Sequence, residues 1–142
     1  MTHENDKRLV EKYPKIFADR YKSMMETCMC WGFECMDGWY DLIDNLCEEI
    51  QNYIDLNDVP QFVASQVKEK FGGLRFYGDG GDDRIEGMIS LAESLSYKIC
   101  EKCGSIEDVS QTKGWITTLC RACMSEIEHQ KYESELFKDD KE

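Results

Sequence analysis

Between positions 39 and 54 the apolar residues Trp39, Leu42, Ile43, Leu46, Cys47, Ile50, Tyr53 and Ile54 return every three or four places, with Asp41, Asp44, Glu48 and Glu49 between them. That period matches the turn of an α-helix, so the stretch predicts an amphipathic helix with one buried face, ending near Asp55 to Pro60. A second run, Phe17, Tyr21, Met24, Met25 and Cys28, recurs at helical spacing behind Pro14, a residue suited to the first helical turn, and predicts a helix from Pro14 to Cys28. The first dozen residues are polar, and the pattern predicts a frayed end. From Cys28 to Gly38 no period holds, and the two glycines predict a compact loop with aromatic anchors, with Asp37 placed to cap the next helix.

Residues 61–77 fit two templates. Val63, Val67 and Phe71 suit a helix closed by Gly72, yet Phe71-Gly-Gly-Leu74 reads as a two-residue hairpin turn and Leu74-Arg-Phe-Tyr77 as a strand. The hairpin is the preferred reading. After the acidic loop Gly78 to Asp83, Asp82 or Asp83 can cap a helix whose inner face is Ile85, Met88, Ile89, Ala92 and Leu95. Gly114 to Leu119 reads as a strand, and a final helix with Ile127 and Leu136 inward precedes the charged end.

These elements predict an α+β fold: a helical N-terminal part, a small β-hairpin or sheet, and a C-terminal four-cysteine zinc-ribbon-like module. The expected division is a body over 1–96 and a zinc-binding module with its C-terminal helix over 97–142. A chain of 142 residues with 42% apolar content suffices for one modest core. No apolar run approaches the ~20 residues that span a bilayer, and the opening residues lack the apolar segment of a secretion signal. The expected location is therefore the cytoplasm, where eight cysteines serve as metal ligands and buried thiols rather than disulfides. The net charge of −12 argues against direct binding to a polyanion and favours a basic protein partner, such as one that itself handles nucleic acid.

The sharpest chemical signal is Cys100-x-x-Cys103 and, after sixteen intervening residues, Cys120-x-x-Cys123. Two such pairs at this separation match a four-thiolate zinc site, in which each pair offers two sulfurs and the intervening loop brings the pairs together. Four sulfurs leave no position for water, so the expected role of Zn2+ is structural. Cys28, Cys30, Cys35 and Cys47 invite a second site. Their spacings match no familiar knuckle, and Cys28 and Cys47 fall on predicted apolar helix faces where a free thiol is ordinary. Counting zinc per chain decides between these two readings. The acidic loop lacks the twelve-residue spacing of a calcium loop and reads as a solvated turn. With only His3 and His129, no catalytic constellation is visible, and the expectation is a non-enzyme. Lys98, Lys102, Lys113 and Arg121 surround the knuckles, but Glu101, Glu107 and Asp108 nearly cancel them as solvated charge. Trp31, Trp39 and Trp115 read as core and knuckle packing rather than a base-stacking platform.

The segment Gln66 to Tyr77, with Ala92-Glu93, Ser96, Cys100-Glu-Lys-Cys-Gly104, Gly114-Trp115, Thr118 to Cys123, and Cys35-Met-Asp-Gly-Trp-Tyr-Asp-Leu-Ile43, resembles a family of small proteins encoded by phages and prophages. The likeness covers about Tyr13 to Cys123, and Met36 departs from the glycine usual after that cysteine. The resemblance implies a phage context inside a bacterial host and an inhibitor, of anti-CRISPR type, that occupies a basic nucleic-acid channel of a defence complex such as an RNA-guided nuclease. The alternative is a zinc-ribbon protein that binds nucleic acid or modulates transcription through the basic residues near the knuckles.

Overall fold

The computed structural model describes residues 1–126. The chain opens with helix α1 (His3–Lys12), in place of the frayed end that its polar residues predict. Thr2 caps it by accepting a hydrogen bond from the Asn5 amide at 3.3 Å. Its inner positions are Asp6, Leu9 and Val10, followed by Tyr13, all buried. The helical period is present but one of its inward positions is an aspartate, which hides the pattern. Asp6 is neutralised inside by Arg20, whose Nε lies 3.0 Å from Oδ1 and whose Nη1 donates to the Cys30 carbonyl at 2.9 Å.

That pairing helps explain why the expected helix from Pro14 to Cys28 does not form. Residues 14–26 run instead through successive turns, and the Ile16 carbonyl accepts from the Ala64 amide at 2.8 Å. Ile16 and Phe17 are buried, whereas Tyr21, Met24 and Met25 are 75%, 66% and 88% exposed, so the supposed apolar face is not one. The loop that follows contains a short 3-10 turn (Cys28–Trp31) and strand β1 (Phe33–Glu34). Asp37 does not cap the next helix; its carboxylate accepts from the Thr2 amide at 2.9 Å and fastens the start of the chain.

Helix α2 (Tyr40–Asn57) follows the predicted period and buries Ile43, Leu46, Cys47, Ile50 and Ile54. Strands β2 (Val63–Lys70) and β3 (Gly73–Asp79) form the hairpin preferred from sequence. Lys70 pairs with Gly73, so the turn residues are Phe71 and Gly72, one position earlier than expected, with φ of 53° and 84°. β1 pairs in parallel with β2, Phe33 opposite Val67, giving the order β1-β2-β3. Phe17, Phe33, Phe62 and Phe76 pack edge-on or stacked at centroid distances of 4.9–6.3 Å over the inner face of this sheet.

Helix α3 (Asp83–Ser96) is capped by Asp82, which accepts from the Arg84 and Ile85 amides and from the Tyr53 hydroxyl. Ile85, Ile89 and Ala92 face inward as predicted, whereas Leu95 is 40% exposed. α3 also covers the free edge of β3: Ser96 Oγ accepts from the Leu74 amide at 2.9 Å and Glu93 Oε2 from the Phe76 amide at 3.1 Å. Strands β4 (Val109–Gln111) and β5 (Thr118–Cys120) make a second, two-stranded antiparallel sheet. The expected strand over 114–119 is thus confined to its last residues, because Thr112 Oγ1 donates to the Trp115 carbonyl and closes a turn there. Residues 121–126 are helical; Ile127, Leu136 and the remainder of the predicted last helix lie outside the described residues. The architecture is α+β, and no helix among the described residues is long and apolar enough to cross a membrane.

Candidate metal centre

Local backbone geometry builds the cysteine quartet. Behind α3 the chain turns at Cys100, whose amide donates to the Ser105 carbonyl at 2.8 Å and whose carbonyl accepts from Gly104 at 2.9 Å. Gly104 has φ of 81°, the left-handed conformation that glycine adopts without strain, and this curls the first knuckle around Cys103. β5 delivers Cys120, and the helix starting at 121 places Cys123 one turn on; the Arg121 amide donates to the Asp108 carbonyl at 3.0 Å and holds the second knuckle to the loop. The four Sγ atoms lie within 4.8 Å of one another, and Cys103 Sγ is 3.6 Å from Cys120 Sγ. A tetrahedral ion with metal–sulfur bonds of about 2.3 Å needs sulfur–sulfur edges of about 3.8 Å, so the donor set fits a thiophilic divalent ion such as zinc.

The local field favours thiolate at Cys100, whereas burial and the neighbouring sulfurs raise the Cys103 and Cys123 thiols, so an ion bound there displaces their protons. Burial alone pushes the Cys100 thiol up, but backbone N–H groups of Cys103, Cys120 and Lys102 aim at its sulfur and bring it down to about 7. Cys100, Cys120 and Cys123 are buried and Cys103 is exposed, so the cluster lies just under the surface. All four cysteines expected from the spacing therefore meet at one point.

The module is stitched to the body by groups that the spacing did not mark. The buried Trp39 indole donates to the Ile99 carbonyl at 2.9 Å, next to the first ligand. Gly38 donates its amide to the Glu101 carbonyl at 2.7 Å, and a β-carbon there would strike the backbone of Cys100 and Glu101. Glu101, read from sequence as solvated charge, is 4% exposed. Its Oε2 accepts from the Met36 amide at 3.0 Å, its Oε1 has no partner, and burial raises the carboxyl above its usual range. Thr118 Oγ1 donates to the Gly72 carbonyl at the hairpin tip. Only a motif placing Glu between the two knuckle cysteines was available from sequence, and its burial depends on contacts 65 residues away.

Other sequence candidates separate. Among the described residues the quartet is the sole group of ligand side chains close enough to share an ion. Cys28 is exposed rather than on a helix face, Cys30 is half-buried, and Cys35 and Cys47 are buried thiols held up by desolvation, Cys35 to about 12. Lys102 pairs with Glu126 at 2.8 Å. The reading of the tryptophans is corrected: Trp39 is fully buried, but Trp31 and Trp115 are 63% and 84% exposed. Comparison with family models, curated proteins and solved structures finds no match.

Proposed function

We propose that the quartet holds one zinc ion as a structural clasp, and that the protein works without chemistry of its own, by binding. The clasp rests on the convergence of four sulfurs, with no other ligand type among them. An all-thiolate set of four fills a tetrahedral coordination sphere, and its purpose on this reading is to hold residues 97–123 against the hairpin and α2.

The surface offered for binding is acidic. Asp41, Glu48, Glu49, Asp55 and Asp58 are exposed along and just beyond α2, and Leu42, Leu46, Met88, Leu91 and Leu95 line an apolar groove between α2 and α3. Carboxylates of this kind steer a basic partner, and the apolar groove supplies contact area. Together with the resemblance to phage-encoded proteins, this supports an inhibitor that docks on the basic nucleic-acid surface of a host defence complex, such as an RNA-guided nuclease. The test is protection of targeted plasmid DNA by the purified, zinc-loaded protein, repeated with Asp41→Lys, Glu48→Lys and Glu49→Lys combined. Protection lost in the triple variant, with zinc content and melting unchanged, is the expected result; no protection by the native protein overturns the reading. The exposed Trp115 favours a second activity, contact with nucleic acid, on a different surface.

A further inference from the structure

A cleft of about 310 Å³ separates the hairpin tip from the turn at Gly114–Ile116. Lys68, Lys70, Phe71, Trp115 and Ile116 line it, with Glu69. Glu69 keeps its charge but is held at the tip, where its Oε1 accepts from the Gly72 amide at 2.8 Å and braces the turn, and Lys68 and Lys70 on either side of it leave the lining net positive. Phe71 and Trp115 are 68% and 84% exposed, which is unusual for two large aromatics that line one cleft on a −12 chain. Phe71 also has φ of 53°, a conformation that bulky residues avoid and that asparagine or glycine adopts at hairpin tips. Backbone strain of this kind recurs at ligand clamps and binding sites. Lys70 Nζ lies 5.7 Å from the Phe71 ring centroid.

The charge around these rings runs against the whole. Lys68 stands opposite Arg75 in the ladder and Gln66 opposite Tyr77, so Arg75 and the 42% exposed Tyr77 share the outer face with Lys68. Lys113 is exposed beside the Gly114 turn. Glu34 of β1, level with Lys68, is the carboxylate on the rim of this face. Cations flanking separated, sequence-tolerant aromatic faces suit an unpaired polynucleotide, whose bases stack while its phosphates meet lysines. An acidic peptide satisfies the lysines but leaves both rings uncovered.

We propose that this cleft binds single-stranded nucleic acid, with Phe71 and Trp115 as stacking platforms and Lys68, Lys70 and Lys113 as phosphate contacts. The site is distinct from the α2 carboxylates, so charge reversal on α2 leaves it intact and the two readings fail separately.

The experiment titrates the zinc-loaded full chain into a fluorescein-labelled oligothymidylate of about 12 nucleotides, a length within the ~4–16 nucleotides that such grooves cover. Trp115→Ala and Phe71→Asn should each weaken binding by about tenfold or more. Phe71→Asn suits the turn, so its melting temperature should hold or rise and a folding defect cannot mimic the loss. With three phosphates neutralised, affinity should fall by about 20-fold between roughly 50 and 200 mM salt. Equal binding to the matching duplex, preferential binding to phosphatidylglycerol vesicles, no binding, or full binding by both aromatic variants each overturns the proposal.

Discussion

At the scale of single residues, the fold relies on polar groups buried with their partners in place. Gly32 has φ of 75° and sits against the Asp6 carboxylate and the Arg20 guanidinium, so Gly32→Ala both strains the backbone and parts the buried pair. The expected loss is about 2–3 kcal/mol, read from urea unfolding. Asp44 gives the pH-dependent counterpart. Burial pushes its carboxyl up, but hydrogen bonds from the Tyr13 hydroxyl and Lys12 Nζ outweigh this and hold it below the usual 3.8. Because the folded value is the lower one, Asp44 stabilises the protein above pH ~3.8, and that contribution is lost as pH falls through the folded value. Asp44→Asn should cost about 1 kcal/mol at neutral pH and flatten the acid limb of a melting-temperature profile between roughly pH 2 and 5.

At the scale of elements, the edge of β3 shows how a short sheet is kept from open pairing. Ser96 is fully buried, and its Oγ accepts from the Leu74 amide while donating to the Glu93 carbonyl at 2.6 Å. Ser96→Ala leaves the buried Leu74 N–H without a partner, and the expected cost is about 1–3 kcal/mol with faster hydrogen exchange at Leu74. Exchange at Leu74 unchanged from the native protein would refute this role. The elements differ in how much of them the residue pattern reveals. α2, the hairpin and the Asp82-capped α3 follow from period and punctuation. α1 escapes the pattern because Asp6 occupies an inward position, and over 14–28 the helical spacing of five apolar residues is overridden by the tertiary contacts of Ile16 and Arg20, which hold the stretch in turns.

At the scale of the whole molecule, two packed groups of residues are joined at Trp39, Gly38, Glu101 and Thr118. Removal of the metal by a chelator, or Cys103→Ser, should therefore raise hydrogen exchange across 97–123 and lower the melting temperature, with the effect spreading to the Gly72 turn through Thr118. Element analysis should give one zinc per chain. Acidification should release the ion as the thiolates protonate, so metal content measured against pH separates a thiolate site from adventitious binding. A melting curve insensitive to both chelator and ligand mutation is incompatible with the structural clasp.

Residue order alone reveals what is local. The spacing of two Cys-x-x-Cys pairs, the helical period of α2, the glycine-rich hairpin turn and the aspartate before α3 each act within a few residues, where backbone sterics and hydrogen bonding suffice. Tertiary packing settles which side of the surface each residue takes. Whether Glu101 is solvated or buried, whether Asp6 is a surface charge or the inner half of an ion pair, and whether Trp115 packs or stands in water are questions of remote packing; the partners of Asp6 and Glu101 lie 14 and 65 residues away. Those distant contacts are set by the collapse of the whole chain, and no local pattern encodes them.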